Sequence, residues 1–223
     1  KEIIFPKNVL GILKEIADYY FISPSFLAHN AIKEIPLGKP REPRKDSADN
    51  SFFPPMIEEG GEIQNLLAID GKNPILVEYS NFFRKISSFL QIIGNDFKED
   101  KATIILAPTI SMAKNLFAFL SSRYKGLAVL LHSEQNKGDF YRGLKEISSK
   151  NSPIVIGNKS ALFAPIKKIG SIIVDEYHNF SHKQTEQNPR IDATFIAKKL
   201  SLASECRIYL FSVFPLVRDF AQN

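Results

Sequence analysis

Short apolar runs alternate with longer amphipathic segments from about residue 74 to the end of the chain. The runs are rich in Ile, Val and Leu and lie at 75–79, 103–107, 127–131, 153–157, 171–175 and 207–211. The segments between them predict helices at about 80–93, 109–123, 137–149 and 191–204. Strands that are apolar throughout and separated by helices are typical of a parallel sheet covered on both faces. The pattern therefore predicts an open α/β fold.

The chain before the first run divides into two parts. Residues 1–35 carry apolar side chains at spacings of three and four, which predicts one apolar helix face. That face is formed by Val9, Leu10, Leu13, Ile16, Ala17 and Tyr20. Residues 36–60 are rich in proline and charge, with a basic cluster at Lys39, Arg41, Arg44 and Lys45. We therefore expect a helical unit over 1–35, a linker over 36–60 and an α/β domain over 61–223.

Composition narrows the class of protein. The 223 residues are 44% hydrophobic and 24% charged, which is typical of a globular protein, and the net charge of +5 allows a polyanionic partner. The single cysteine, Cys206, excludes a disulfide framework and a thiolate zinc site within this chain. It also fits a reducing compartment, so we expect a cytoplasmic protein. No stretch reaches the roughly 20 apolar residues of a membrane helix, so no membrane partner is expected.

An acidic pair follows the fifth apolar run. Asp175 and Glu176 come directly after the strand predicted at 171–175 and are followed by Tyr177 and His178. In parallel α/β sheets, ligands bind beyond the carboxyl ends of the strands. A carboxylate there can hold Mg²⁺, and its neighbour can orient or deprotonate an attacking water. Two solvated acids that simply end a strand are the alternative on these residues alone.

The phosphate loop that would complete a nucleotide-hydrolase site is changed at every defining position. When GxxxxGK[ST] is laid after the first run, Glu78 and Phe83 stand at the glycines, Arg84 at the lysine and Lys85 at the hydroxyl residue. Bulky side chains obstruct the backbone cradle that glycines form around phosphate oxygens. Arg84 and Lys85 retain positive charge and are candidate cofactor-binding residues in a degenerate ATP site. The alternative is an ordinary strand followed by an amphipathic helix.

Several longer segments together resemble one family. The segment IVIGNKSALFAPIKKIGSIIVDEYHNFSHKQ, residues 154–184, resembles the core of the bacterial PriA (primosomal protein N′) family, which typically reads IVIGTRSALFAP, IIVDEEH and SYKQ. TIILAPTISMAKNL (103–116) is similar to the family's LVLVPEISLTPQ segment, and residues 12–32 are similar to the end of its N-terminal DNA-binding domain. The resemblance implies a RecA-like first helicase lobe preceded by a short helical remnant of that DNA-binding domain.

The resemblance also implies an activity and its cofactors. Members of this family unwind DNA from 3′ to 5′ with ATP and Mg²⁺ during replication restart, and they work with other primosome proteins. Asp175 and Glu176 match the family's Mg²⁺-coordinating and water-activating acids, and His178 matches the histidine that follows them. The resemblance therefore implies a catalytic role for these three residues, with Asp175 as the Mg²⁺ ligand through the nucleotide.

Candidate contacts to single-stranded or branched DNA come from two places. Residues 179–184 lie where the family has an aromatic-rich loop that senses single-stranded DNA. Phe180 and His182 can stack on bases there, and Lys183 can contact a phosphate. The full set of candidates is Phe180, His182, Lys183 and Gln184 in this loop, with Lys159 and Ser160 after the fourth run. An ordinary polar turn is the alternative for the loop.

Departures from the family pattern leave two hypotheses. The family's serine-alanine-threonine motif reads Ser212-Val213-Phe214 here, and the chain ends soon afterwards. We therefore expect a divergent, truncated member without the second lobe or the cysteines of the zinc-binding insertion. One hypothesis is a helicase that tolerates a divergent loop. The other is a catalytically inactive DNA-binding or scaffolding pseudo-helicase, which the loop chemistry favours, so enzymatic activity stays an open question.

Two further sites are disfavoured by spacing. His132, His178 and His182 do not follow a zinc-binding pattern. Cys206 and Ser133 have no paired base that the sequence makes recognisable, so covalent catalysis is not supported.

Overall fold

The computed structural model describes residues 7–31, 74–150, 153–183 and 191–214. The predicted linker, its basic cluster and Gln184 lie outside the described residues. The elements are α1 (Lys7–Tyr19), α2 (Pro24–Ala31), β1 (Ile75–Glu78), α3 (Phe82–Lys98), β2 (Ala102–Leu106), α4 (Ile110–Arg123), β3 (Ala128–Leu131), α5 (Lys137–Ser149), β4 (Ile154–Gly157), β5 (Ile169–Val174), α6 (Ala193–Ala203) and β6 (Arg207–Ser212). Short 3-10 helices span Lys159–Phe163 and Phe180–His182.

The six strands form one parallel sheet in the order β1-β6-β5-β2-β4-β3. In the centre of this sheet, Leu106 of β2 pairs with Val174 of β5 on one side and with Gly157 of β4 on the other. Each strand overlaps one of the predicted apolar runs. The prediction of an open parallel α/β fold is therefore confirmed, and all six strands direct their carboxyl ends to the same edge.

Helices cover both faces of the sheet, and the side chains of β5 alternate between the two resulting cores. Ile172 and Val174 point to the face that carries α1, α5 and α6, whereas Ile173 points to the face that carries α3 and α4. This alternation follows from the two-residue period of a strand. Because both faces are covered, every residue of β5 is buried. The buried strand brings Asp175 to a water-poor position at its end.

Polar side chains fix where the helices beside the site begin. Asn81 accepts a hydrogen bond from the backbone N–H of Arg84 at 3.0 Å, and Thr109 accepts one from Met112 at 3.2 Å. Asp192 caps α6 in the same way. Such caps contribute about 1 kcal/mol each. They place the first turns of α3, α4 and α6 at the carboxyl edge of the sheet.

The N-terminal segment forms two helices rather than the one helical face that was predicted. The chain turns at Phe21, whose φ is +53°, and α2 follows. Ile16 and Leu27 belong to the same core as β5 and α6. The Lys199 ammonium lies 2.5 Å from a Glu15 carboxylate oxygen. Leu10, placed on the predicted apolar face, is exposed. The assignment of this segment to a DNA-binding remnant, and the three-unit division, stay predictions.

Candidate functional site at the carboxyl edge of the sheet

Backbone hydrogen bonds hold four strand ends together at the site. The N–H of Asp175 donates to the carbonyl of Leu106 at 2.9 Å, and the N–H of Tyr177 donates to the carbonyl of Phe211 at 2.9 Å. The N–H of Tyr79 donates to the carbonyl of Ser212 at 3.2 Å. The carboxyl ends of β1, β2, β5 and β6 are therefore fixed as neighbours, although they are far apart in sequence.

Lys85 and Asp175 form a buried ion pair at the centre of the site. The Nζ of Lys85 lies 3.0 Å from Oδ1 and 3.1 Å from Oδ2 of Asp175. Asp175 is fully buried and Lys85 is 4% exposed. Burial raises the pKa of the Asp175 carboxyl, and the charge and hydrogen bond of Lys85 act in the opposite direction. The ammonium thus supplies the positive charge that a buried carboxylate requires.

Glu176 lies beside this ion pair, on its solvent-exposed side. Its Oε1 is 4.0 Å from the Nζ of Lys85, and its Oε2 accepts a hydrogen bond from the Asn179 side chain at 3.3 Å. Its φ of +47° is in the left-handed region, which a non-glycine residue adopts at an energetic cost. The turn at Glu176 separates its carboxylate from the buried strand and leaves it partly exposed.

The loop after Asp175 is anchored to the site through His182. The Nε2 of His182 lies 2.8 Å from the Asp175 carbonyl oxygen, which can only accept, so this nitrogen carries a proton. The ring is 6% exposed, and burial lowers its pKa. The expectation that His182 stacks on bases does not fit this burial, because its ring already contacts the protein. Phe180, in contrast, is 84% exposed.

Lys183, the residue after His182, joins the carboxyl-terminal end of this loop to the start of α6. The Lys183 ammonium lies 3.8 Å from a carboxylate oxygen of Asp192, and the two residues form an antiparallel backbone bridge. The backbone N–H of Asp192 donates to the hydroxyl oxygen of Tyr20 at 3.1 Å. Lys183 stays exposed and close to Phe180 in sequence, so both remain available to a ligand.

A second side-chain pair joins the acidic motif to the end of β6. The Nδ1 of His178 lies 2.8 Å from the Oγ of Ser212. Ser212 also donates its hydroxyl hydrogen to the carbonyl of Phe214. Because a serine has one hydroxyl hydrogen, the Nδ1 of His178 carries the proton of their hydrogen bond. His178 therefore links two motifs that the sequence analysis treated separately.

The connection from β1 to α3 is a short turn. Residues 79–81 link Glu78, the last residue of β1, to Phe82, the first of α3. Phe82 and Phe83 form the start of the helix and are about half exposed, and Arg84 is exposed one residue before the buried Lys85. The positions that align with GxxxxGK[ST] thus lie in a strand end, a turn and the first turn of a helix.

Lys159 and Ser160 lie at the same edge of the sheet but after β4, which β2 separates from β5. The backbone N–H of Ser160 donates to the Asn158 side chain at 3.2 Å, and the residue is 6% exposed. Burial lowers the pKa of the Lys159 ammonium. The burial of Ser160 differs from the expectation of a DNA contact, because little of the residue is exposed to a ligand.

Sequence reasoning indicated the acids and the loop but missed the two side-chain pairs. The Lys85–Asp175 pair joins residues 90 positions apart, and the His178–Ser212 pair joins residues 34 positions apart. The signal for both was that the strands next to these residues, β1, β5 and β6, were predicted to end at a common edge. Among the described residues, no group of three or more His, Cys, Asp and Glu side chains is placed to hold a metal ion.

Comparison with protein families decides the relationship of the chain. The DEAD/DEAH box helicase model matches residues 85–213, which is more than half of the chain. The chain belongs to the DEAD/DEAH box helicase family. The match to this helicase model begins at Lys85 and ends just after Ser212, so it includes both side-chain pairs, Lys85–Asp175 and His178–Ser212.

Curated relatives place this DEAD/DEAH box chain close to one group of proteins. It is 28% identical to the replication restart protein PriA of Synechocystis over 157 residues, which are 70% of this chain and 19% of the relative. It is 32% identical to the PriA of Bacillus subtilis over 138 residues, which are 62% of this chain and 17% of the relative. It is therefore a divergent PriA-like member that spans about a fifth of these relatives' length.

Two further findings concern the DEAD/DEAH box chain as a whole. A solved DEAD box protein from Methanococcus jannaschii matches it with a TM-score of 0.47 and 18% identity, and the match covers 67% of this chain and 41% of that one. Within the described ranges, no helix has the length and apolar character required to cross a membrane.

Proposed function

We propose that this chain is a replication-restart type helicase lobe that binds DNA without binding or hydrolysing ATP. The observation that carries the proposal is the buried contact between the Lys85 ammonium and the Asp175 carboxylate. A nucleotide hydrolase uses an acid at this strand end to hold Mg²⁺. The replication-restart role is proposed because the curated relatives are named replication restart protein PriA.

The residues at this site do not fit Mg²⁺ and ATP. In P-loop hydrolases, backbone N–H groups of a glycine-rich loop surround the phosphates, and a hydroxyl residue and an acid hold the metal. Here a three-residue turn connects β1 to α3. The Asn81 side chain already accepts a hydrogen bond from the backbone N–H of Arg84. Lys85 stands at the position of the hydroxyl residue. Loss of ATP and Mg²⁺ binding is therefore part of the proposal.

DNA binding is supported by the exposed part of the loop after β5. Phe180 offers an exposed ring, and stacking on such a ring contributes about 1–3 kcal/mol per base. Lys183 offers a cation beside it, and the chain carries a net charge of +5. We propose single-stranded or branched DNA as the partner, and other primosome proteins as further partners in the cytoplasm.

An ATP-dependent 3′ to 5′ DNA helicase is the second candidate. It is favoured by the position of Asp175 and Glu176 at the end of β5 and by the hydrogen bond between His178 and Ser212, which joins the acidic motif to the third motif. Under this alternative, the divergent turn after β1 is tolerated and the Lys85–Asp175 contact opens when nucleotide binds.

Nucleotide and DNA measurements on the same preparations separate the two candidates. We expect the wild type to bind no fluorescent ATP analogue with Mg²⁺ and to show no hydrolysis stimulated by single-stranded DNA. Hydrolysis that Asp175→Asn abolishes, and that the exposed control Asp18→Asn retains, would support the helicase. The pair of aspartate variants matters because each removes one negative charge, but only one of them touches the site.

DNA affinity tests the binding part of the proposal. We expect anisotropy to report binding of a labelled single strand and of a forked duplex, with an affinity that falls at least about tenfold between about 50 and 200 mM salt. Phe180→Ala should weaken single-strand binding by about fivefold or more, because one stacked base is lost. The control Phe97→Ala changes an exposed ring at the far end of α3. Absence of binding to both DNAs would refute the proposed function.

A further inference from the structure

Lys85 places a buried cation against both acids of the site. Its Nζ is 3.0 Å and 3.1 Å from the two carboxylate oxygens of Asp175, and 4.0 Å from Oε1 of Glu176. A charge as buried as that of Asp175 requires a compensating charge within direct contact. Lys85 is the residue that supplies it, from the first turns of α3.

The ammonium reaches the carboxylate from the position at which a P-loop hydrolase contributes to its metal site. In those enzymes Mg²⁺ lies between the last hydroxyl residue of the phosphate loop and the strand-end acid. Lys85 occupies the place of that hydroxyl residue in the pattern that begins at Glu78, and Asp175 is the strand-end acid. The lysine nitrogen therefore contacts the same carboxylate that would contact the metal.

The surroundings of Nζ suit an ammonium better than a hydrated metal ion. The ring centres of Tyr79 and Phe82 lie 5.2 Å and 5.7 Å from it. Aromatic faces attract an ammonium through their quadrupole. Mg²⁺ instead retains several water molecules and seeks oxygen ligands around its whole octahedron. The two ring faces that lie against Nζ present carbon atoms and no oxygen ligand.

We infer that Lys85 is a resident cation that replaces the divalent metal ion at Asp175 and keeps the following loop in one arrangement without metal or nucleotide. The carbonyl of Asp175 accepts the hydrogen bond of His182 at 2.8 Å, and the carboxylate of the same residue holds Lys85. Asp175 thus connects the two: its carboxylate contacts Lys85, and its backbone carbonyl holds the loop that carries Phe180.

The consequence for DNA binding is independence from Mg²⁺ and ATP. The loop is tied to Asp175 through His182 and to Asp192 through the adjacent Lys183. These ties are made by residues of the chain itself, so removing divalent ions leaves them in place. This part of the inference rests on the proposed DNA binding, whereas the replacement of the metal is tested without DNA.

Manganese titration tests the replacement directly. Mn²⁺ serves as the probe because its free and bound forms differ in their electron paramagnetic resonance spectra. We expect no Mn²⁺ site in the wild type, in Lys85→Arg or in the control Lys98→Ser, which removes an exposed lysine from the same helix. Lys85→Ser restores a hydroxyl and frees the carboxylate, so we expect it to bind one Mn²⁺ at least about tenfold more tightly than the wild type.

The same proteins test the link to the loop. Wild-type affinity for single-stranded DNA should be equal within about twofold in EDTA and in Mg²⁺, whereas Lys85→Ser should bind weakly in EDTA and recover with Mn²⁺. Mn²⁺ binding by the wild type as tight as that by Lys85→Ser would overturn the inference, and so would a Lys85→Ser protein that folds but gains no Mn²⁺ site. If Lys85→Ser does not fold, Mn²⁺ binding by the wild type or by Lys85→Arg overturns the inference, and the absence of binding by both supports it.

Failure of the inference is distinguishable from failure of the proposed function. Wild-type protein that binds DNA only with a divalent ion retains the proposed DNA binding and loses the inference. Wild-type protein that binds neither DNA nor Mn²⁺, beside a Lys85→Ser variant that gains Mn²⁺, loses the proposed function and retains the replacement of the metal.

Discussion

At the scale of single residues, Asp96 is a buried carboxyl outside the site that makes stability depend on pH. Its two oxygens accept hydrogen bonds from the hydroxyls of Thr103 at 2.8 Å and Ser171 at 3.0 Å. Burial nevertheless raises the pKa of Asp96 to about 7, against the lowering effect of these hydrogen bonds. A side chain at Gly170 would meet Asp96 Oδ1 at 2.4 Å, so a glycine there leaves room for the carboxyl.

The raised pKa predicts that this residue makes the protein less stable as pH rises. Between about pH 4 and pH 7 the folded state retains a proton on Asp96 that the unfolded state releases, so the free energy of unfolding falls across that window and levels off above it. A shift of this size corresponds to at most about 4 kcal/mol. Asp96→Asn should remove this slope and raise the free energy of unfolding at pH 8 by about 1–2 kcal/mol.

Urea unfolding at pH 5 and pH 8 measures the Asp96 effect. Asp18→Asn is the matched control, because it makes the same chemical change on an exposed face of α1. An unchanged difference between the two pH values in Asp96→Asn would contradict the predicted role of this carboxyl.

Single residues also mark the limit of prediction from sequence. Asp175 and Glu176 were indicated because acids at the end of a buried strand face the usual ligand edge. The partner of Asp175 was not indicated, since the direction of the Lys85 side chain depends on the short turn before α3 and on the position of β5. The burial of His182 was missed for the same reason, because a polar pattern in a loop does not reveal which ring turns inward.

At the scale of elements, Gly157 allows β4 to continue close to β3. A Cβ at Gly157 would lie 1.8 Å from the carbonyl oxygen of Leu131 and 3.3 Å from the Cβ of Ala161. The first of these atoms is backbone, which cannot move aside as a flexible side chain can. Gly94 in α3 is the opposite case, because a Cβ there would meet nothing within 4 Å.

The two glycines predict opposite effects of the same substitution. Gly157→Ala should lower the free energy of unfolding by about 3 kcal/mol, because the strands must separate to admit the methyl group. Gly94→Ala should raise it by about 0.5–1 kcal/mol, because alanine favours a helix interior. Denaturant unfolding of both variants checks the pair. Equal stability of Gly157→Ala and wild type would show that the end of β4 is more adaptable than its packing indicates.

Most elements could be predicted because their patterns are simple. The apolar runs found all six strands, since a strand covered on both faces must be apolar throughout. Helix α2 was not predicted, because the turn before it is made by Phe21 at positive φ and not by a glycine or asparagine that would have signalled it. The end of α3 extends past the predicted residue 93 to Lys98, where helix boundaries are least determined by pattern.

At the scale of the whole molecule, the N-terminal helices and the sheet share one core. Ile16 of α1 is buried in the core that also contains Ile196 of α6 and Ile172 of β5. Tyr19 stacks on Phe195 with ring centres 4.6 Å apart, and Tyr20 accepts a hydrogen bond from the N–H of Asp192. These contacts indicate that α1 stabilises the sheet and the start of α6 together.

Truncation of Ile16 tests this shared core. Ile16→Ala should lower the free energy of unfolding by about 2–4 kcal/mol in a single transition, because a cavity forms in a core common to both parts. Leu10→Ala on the exposed side of the same helix should change it by less than about 0.5 kcal/mol. Circular dichroism during urea titration measures both variants. Two separate transitions in the wild type would contradict a common core.

The order of strands has a consequence for how this chain acquires its structure during synthesis. The sheet pairs β1, the first described strand, with β6, the last of them, in parallel register from Ile75 with Tyr209 to Glu78 with Ser212. A ribosome releases the amino-terminal part first. Strand β1 and the helix that carries Lys85 therefore leave the exit tunnel more than a hundred residues before their neighbour is made. Pairing over such a long sequence separation slows folding, and it delays the final position of the Lys85–Asp175 pair until β6 has been synthesised.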